Sequence, residues 1–251
     1  MLQEELRILY EDREILVCKK PPGVPVQGDR SGAYDLASRL LNYLAASESG
    51  ALSGKASGRP QIPYLAVVHR LDRPVGGVMV FAKTKQAAAR LSRQIQERET
   101  EKRYYCVLTG IKGSLGKEWE TLTDYLVMDT RTNLSRLAAP EDTGAKEARL
   151  RIRLLEQERA AEQELALAEV ELLTGRHHQI RVQMTGISEG IWGDTKYNSG
   201  FRGKKGWFSL ALFSSYLAFF HPSTGEKLQF CLPPEGEVFE RFAYIQRLRE
   251  R

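Results

Sequence analysis

The amino-acid pattern predicts an α+β fold built on a largely antiparallel sheet, and three observations predict it. Two stretches alternate with period two: Leu150, Ile152 and Leu154 interleave with Arg149, Arg151 and Arg153, while Ala166, Ala168, Val170 and Leu172 interleave with Glu169 and Glu171 on the far side. Successive strand residues point to opposite faces, so each stretch reads as a strand with one covered face. Helix-like segments are few and scattered among many strand-like runs, which is the mark of α+β rather than α/β architecture. Hydrophobic residues make up 42% and charged residues 27% of the 251, the balance of a globular protein and not of a disordered or fibrous one.

The elements follow in order. Residues 6–20 read as two short strands about the turn Glu11-Asp12-Arg13, the second apolar throughout from Ile15 to Cys18 and stopped by Pro21-Pro22-Gly23. Leu36, Leu40 and Leu44, with Leu41 beside them, mark one face of a helix. Residues 45–63 are rich in Ala, Ser and Gly and read as a flexible surface loop. Ala66-Val67-Val68 and Val78 to Ala82 read as strands. Thr84 then offers an N-cap to a helix whose apolar face is Ala87, Leu91 and Ile95. Strands are expected near 103–109 and 119–127, and the link from Glu156 to Glu164 reads as a hairpin turn. A short helix is expected to end near Thr185-Gly186, a last hairpin over 207–220 and 227–232 is closed by Ser223-Thr224-Gly225, and a helix spans about 238–251 with a basic last turn. No internal repeat and no domain boundary stands out, so residues 1–251 read as one domain.

Charge and cysteine usage narrow the function classes. The 37 Lys and Arg against 32 Asp and Glu leave a net charge of +5, which fits a polyanionic partner and equally a soluble surface. Three cysteines, Cys18, Cys106 and Cys231, lie far apart with no paired spacing, which argues against a zinc cluster. Cys18 and Cys106 sit in apolar runs and read as buried thiols in a reducing compartment. The first ten residues lack a signal-peptide core, and no apolar run approaches the roughly 18 residues of a membrane span. The expected location is cytoplasmic, with no membrane partner, and the default oligomeric state is monomer.

Five segments could carry chemistry. His69-Arg70-Leu71-Asp72 falls between two apolar strands and ahead of Arg73-Pro74 and Gly76-Gly77, a tight, shaped loop in which an Asp is either a turn cap or a reacting group. The run from Thr174 through Arg176, His177, His178, Gln179 and Arg181 to Gln183 is dense in groups that bind phosphate or carboxylate, and on a helix His177 and Arg181 would share a face. Adjacent histidines diverge on a helix, so a metal site there is not expected. Lys102 and Tyr104 open a strand with a cation beside an aromatic, a pair that can stack a base and grip its phosphate or simply pack. Gly193-Asp194-Thr195-Lys196-Tyr197 and His221 to Glu226 read first as turns.

In this order the segments resemble the RluA-type family of RNA pseudouridine synthases. The family's H-R-L-D and following strand ending Ala-Lys are matched by His69 to Asp72 and Val78 to Lys83, and its Lys-x-Tyr by Lys102 and Tyr104. T-G-R-x-H-Q-I-R-V is matched from Thr174 to Val182, Gly-Asp-x-x-Tyr by Gly193, Asp194 and Tyr197, and H-P-x-T-G-E from His221 to Glu226. The opening, with Lys20-Pro21-Pro22-Gly23, looks like the family's first strand and turn, so the resemblance runs from about residue 8 to 233. Departures are Val75-Gly76, where a Thr-Ser pair is usual, His177, Gln183 and Phe213. The small RNA-binding domain that many members carry ahead of the catalytic one is expected to be absent.

The resemblance implies a single catalytic domain: a mixed, mainly antiparallel sheet with flanking helices and a central cleft, in which Asp72 sits on a loop. It implies isomerisation of a uridine within structured RNA, ribosomal or transfer, with no cofactor and no metal. The base leaves its ribose, turns, and rejoins through carbon 5. Asp72 would start this, as nucleophile at the ribose or as base in a glycal route; either needs an ionised carboxylate. Arg181 matches its basic partner, Tyr104 the aromatic that stacks on the target base, and Arg70 a residue that holds the flipped nucleotide. His69, Lys102, Arg176, His178 and Gln179 are the further candidates for binding substrate. Arg149, Arg151 and Arg153, Arg202 to Lys205, and Arg247, Arg249 and Arg251 are candidate phosphate contacts, with a solvated face the simpler account of the last. The alternative is a catalytically silent RNA-binding protein or RNA chaperone on the same scaffold; a glycosidase would need a second carboxylate, such as Asp194, beside Asp72.

Overall fold

The computed structural model describes residues 6–28, 34–51, 63–160, 163–204, 206 and 208–250. The chain is α+β with mainly antiparallel strand pairing, and it divides into two compact units: Met1–Thr100 with Ala218–Phe230, and Glu101–Leu217 with Cys231–Arg251.

The first unit is built on β2 (Ile15–Lys20), which pairs antiparallel with β1 (Arg7–Glu11) on one side and β4 (Gly76–Ala82) on the other. The apolar run Ile15 to Cys18 is fully buried, as a strand covered on both faces must be. A two-residue β3 (Ala66–Val67) joins the far end of β4. Helix α1 (Leu36–Ala51) begins where the Asp35 carboxylate accepts the Ser38 N–H at 2.9 Å, and it buries Leu36, Leu40 and Leu44. It runs on to Ala51, past the start of the expected loop at 45, because Ala, Ser and Glu here are compatible with helix. The rest of that loop, 52–62, lies outside the described residues. Helix α2 (Lys85–Gln96) is capped by the Thr84 hydroxyl, which accepts the Ala87 N–H. Ala87 and Leu91 are buried as expected, and Gln94 is buried beside them because its amide exchanges two hydrogen bonds with the backbone of Phe220.

The second unit orders its strands β5-β9-β8-β6-β7: β5 (Glu101–Thr109), β9 (Gln163–Leu172), β8 (Lys146–Ala160), β6 (Glu120–Asp129) and β7 (Leu134–Ala138), with β10 (Gly190–Ile191) on β5. Strands β8 and β9 run well into the stretch expected to be a turn, pairing as far as Ala160 with Gln163. The alternation in β8 holds, with Leu150, Ile152 and Leu154 buried and the arginines between them partly exposed. In β9 the far face is covered too: Glu169 is buried, and so are Leu165 and Leu167. β7 was not legible, because its five residues LSRLA have no alternation. Between them, α3 (Gln179–Ile187), β11 (Leu212–Phe220) and β12 (Lys227–Cys231) complete the motif-bearing part of the chain, β11 passing from the second unit into the first at Ala218.

The expected C-terminal helix is broken into α4 (Glu237–Glu240) and α5 (Ala243–Arg249). Phe242 turns extended between them and is fully buried. A register shift in β8 between Leu154 and Glu156 aims the Glu156 carboxylate at the start of α5, where it accepts the N–H groups of Ala243 and Tyr244. Cys18 and Cys106 are buried, which pushes each thiol up to about 12 and leaves it unreactive.

Candidate active site

The sharpest sequence signal, His69 to Asp72, forms a loop that leads from β3 into β4 in the first unit. It is pinned by backbone partners. The His69 Nε2 accepts the Val80 N–H at 3.0 Å, which ties the start of the loop to the strand it precedes. That nitrogen is therefore spent on the fold, and His69 holds the loop instead of offering this atom to a substrate. The Asp72 carbonyl accepts the Val75 N–H at 2.9 Å, closing a turn through Arg73-Pro74. The Arg73 carbonyl accepts the Gly23 N–H, and the Arg73 side chain returns a bond to the Gly23 carbonyl.

Beneath this loop lies Lys20, wholly buried, whose ammonium donates to the carbonyls of Pro21, Arg73 and Val75 at 2.9, 3.0 and 2.7 Å. Burial pulls its pKa down to about 7, with the Asp72 carboxylate opposing and Arg73 reinforcing that shift. Sequence reasoning gave Lys20 only as part of a turn; a lysine closing an apolar strand just before Pro-Pro-Gly is the signal that could have found it. Asp72 is half-buried on this frame, and Arg70 is exposed with no hydrogen-bond or ion-pair partner among the described residues.

The second unit gathers Lys102, Tyr104, Arg176, His178, Gln179 and Arg181. Tyr104 is buried in β5, facing Val170 of β9 across the ladder. Burial lowers the Lys102 ammonium below the ordinary lysine range. Arg181 is buried at 4% exposure and makes a two-pronged pair with Asp194, its Nε and Nη2 each 2.8 Å from a carboxylate oxygen. One of those oxygens also accepts the N–H groups of Lys196 and Tyr197 at 3.0 and 3.1 Å. Asp194, read from sequence as turn chemistry, is thus a buried carboxylate with a dedicated cation.

The expected helical face shared by His177 and Arg181 does not form. His178 is the N-cap of α3 in the left-handed conformation, φ 54°, so His177 lies ahead of the helix. Its ring stacks on that of His178 with centroids 3.7 Å apart, and its Nδ1 bonds the Ser135 hydroxyl at 2.9 Å. The Tyr197 hydroxyl accepts the Ser135 backbone N–H at 2.8 Å and is hydrogen-bonded to the His178 Nδ1 at 2.7 Å. Ser135 lies in the illegible β7 and carried no sequence signal.

Gln179, a candidate for binding substrate, is instead a structural hub. Its oxygen accepts from the Thr174 hydroxyl and the Arg176 N–H, and its nitrogen donates to the Arg149 carbonyl and the Gln183 side chain. Two donors and two lone pairs are all this amide has, so no capacity is left for a ligand. Gln183 then passes the chain on to Asp124 and the Ala148 carbonyl. Arg176 donates its Nε to the Glu147 carbonyl at 2.8 Å and is half-buried. Of the departures from the motif pattern, Val75 and Phe213 are apolar core. Arg151 and Arg153 pair with Glu171 and Glu169 at 2.8 and 2.6 Å and lie over the Trp119 ring. Lys204 lies over Phe201, and Lys205 is outside the described residues.

A family model described as RNA pseudouridylate synthase matches residues 14–185. The large-subunit ribosomal pseudouridine synthase D of Zymomonas mobilis is 32% identical over 236 residues, covering 90% of this chain and 68% of the relative. An RNA pseudouridine synthase of Aquifex aeolicus is 36% identical, covering 94% and 71%. Among solved structures, human RNA pseudouridylate synthase domain containing 1 superposes with TM-score 0.68 at 22% identity, over 99% of this chain and 96% of the other.

Proposed function

The chain belongs to the RNA pseudouridylate synthase family, and on that premise we propose that it isomerises a specific uridine in a structured RNA, with Asp72 as the reacting residue and Arg181 as a second catalytic residue. The observation that carries the assignment of Asp72 is its setting: a half-buried carboxylate on a loop whose backbone is tied to β4, to Gly23 and to the buried Lys20. A reacting group gains most from being held in place before the substrate arrives. Arg70, exposed beside it and without a hydrogen-bond or ion-pair partner among the described residues, is suited to a phosphate or to the gap left by a flipped base.

The reaction breaks the bond between uracil N1 and the ribose and forms one from carbon 5 to the same ribose carbon. Carbon 5 gives up its proton and N1 ends protonated. Asp72 starts it by attacking the ribose carbon or by taking a neighbouring ribose proton; both routes need the ionised carboxylate. A paired uridine must first leave its stack at a cost of a few kcal/mol, least in a loop or bulge. The names of the relatives make large-subunit ribosomal RNA the first substrate to try, and the resemblance noted in the sequence leaves transfer RNA as the second.

The test is tritium release from RNA labelled at carbon 5 of uracil, by the protein and by Asp72→Asn. Release that falls by about a thousandfold or more in the variant is expected for loss of the group that starts the reaction. Release unchanged in Asp72→Asn would remove Asp72 from the mechanism. RNA binding with no release from any pool would leave an RNA-binding protein on the same scaffold.

A further inference from the structure

The contacts around Arg181 are more elaborate than an ion pair requires. Asp194 holds the guanidinium in its plane through two hydrogen bonds. The Tyr197 ring lies against its face, 5.0 Å from ring centroid to the guanidinium carbon. Both restraints come from one short turn, whose N–H groups at Lys196 and Tyr197 bind the same Asp194 oxygen that takes the Arg181 Nη2. The ring itself is fixed at both ends. Its body packs against Leu126, Ala148 and Val182, and its hydroxyl is gripped by the Ser135 N–H of β7 and the His178 Nδ1 at the head of α3.

His178 sustains this grip at a conformational cost. A left-handed backbone is unfavourable for a residue with a Cβ. It places His178 at the N-cap position without a capping hydrogen bond, and directs the ring to Tyr197 in an edge-on contact. Strain of this kind persists only where the surroundings insist on it.

We propose that Tyr197 is a positioning residue: its hydroxyl, held between Ser135 and His178, sets the ring that fixes the orientation of the Arg181 guanidinium for reaction. This rests on the reading above that Arg181 is a catalytic residue. Tyr197 does not touch the reacting atoms; it acts through Arg181. A guanidinium held only by Asp194 can still rock about the axis of the pair, and a ring against its face removes that freedom.

The experiment is Tyr197→Phe, which keeps the ring and deletes the hydroxyl, beside Tyr197→Leu, which deletes both. Turnover is measured by tritium release, and the Arg181 Nε–H is followed by nitrogen-15 NMR in the free protein. Tyr197→Phe should lower kcat about tenfold and Tyr197→Leu about a hundredfold, the range a small misplacement produces. KM should stay within about twofold, because RNA is bound by other groups. The Arg181 Nε–H resonance should broaden or shift in both variants. A kcat in Tyr197→Phe within twofold of wild type overturns the proposal, as does a rise in KM with kcat unchanged. A loss of kcat with the Arg181 resonance unmoved overturns it too, since the effect would then not pass through Arg181. Arg181→Lys with wild-type turnover would sink the underlying reading of Arg181 instead, and the NMR measurement would still decide whether Tyr197 orients it.

Discussion

The loop that bears Asp72 and the turn that bears Asp194 are both tight segments with a proline or glycine within two residues of the Asp, yet they are held by opposite means. The Asp72 loop is held through its backbone: the Gly23 N–H, the Val75 N–H and three bonds from Lys20 all end on main-chain carbonyls, and His69 takes a main-chain N–H. Its acidic side chain is left half-buried at the surface of that frame. The Asp194 turn is held through the Asp194 side chain itself, which is buried and spends both oxygens on Arg181 and the turn's own amides. The difference separates two jobs. A loop that must present a reacting group is fixed through its main chain, and a carboxylate that must orient a cation is fixed through its own side chain.

If that comparison is right, the two aspartates respond to amidation in opposite ways. Asp194→Asn leaves the guanidinium of Arg181 buried without its countercharge, and breaking a buried pair from one side costs about 3–5 kcal/mol. Urea unfolding should show a loss of that size. Removing both charges, as in Arg181→Met with Asp194→Leu, should recover much of it, because a well-packed apolar replacement of a buried pair is often near neutral. Asp72→Asn should cost less stability than Asp194→Asn, because Asp72 is only half-buried, while abolishing turnover. An equal loss of stability in the two single variants would break the comparison.

Lys20 gives the next largest effect and has a pH signature. Lys20→Met takes the ammonium from three carbonyls, of which that of Arg73 keeps the Gly23 N–H, and each buried group left unsatisfied costs roughly 1–3 kcal/mol before water or rearrangement relieves it. The folded-state value of about 7 lies below the ordinary 10.5, so between these two the unfolded chain binds more protons than the folded one. Stability contributed by Lys20 therefore rises as pH climbs from about 7 towards 10.5, and the penalty of burying its charge is fully present below 7. Unfolding midpoints of wild type and Lys20→Met, taken across that range, should converge or diverge accordingly: the wild type gains on the variant as pH rises. A parallel pair of curves would mean that Lys20 keeps its proton in the folded state.

How far the sequence discloses these roles depends on whether the controlling contacts are local. The strands β2, β4, β8 and β9 were legible because burial imposes a periodic or continuous apolar pattern on the chain. Helix α2 was legible down to its cap, since Thr84 and Ala87 are three residues apart. The His69 to Asp72 segment was legible as a loop, but what fixes it, Lys20 and Gly23, lies some fifty residues earlier. The same distance hid the fate of Gln179, whose polar side chain suggests a ligand until Arg149 and Gln183 are seen to use it up. The broken C-terminal helix was hidden for a related reason: Glu156, 88 residues away from Tyr244, decides where α5 begins.

The smallest expected effect concerns the arginines of β8, where sequence alone leaves phosphate binding and a solvated face both open. In the fold, Arg151 and Arg153 each face a glutamate of β9 across the ladder and lie over Trp119. A cation already neutralised by a partly buried carboxylate releases no counterion when RNA arrives. Each phosphate contact that is lost changes the slope of log K against log salt by about 0.7–0.9. Substituting both arginines by alanine should therefore leave that slope unchanged within about 0.5; loss of the partly exposed Arg151–Glu171 pair should cost no more than about 1 kcal/mol, and loss of Arg153 more, because it leaves the buried Glu169 carboxylate unpaired. Arg70→Ala, by contrast, should reduce the slope, because Arg70 is exposed and has no carboxylate partner among the described residues. A slope that falls by about 1.5 or more in the Arg151→Ala, Arg153→Ala protein would mean that these arginines exchange their glutamates for phosphates on binding, and would move the RNA footprint onto the β8 face.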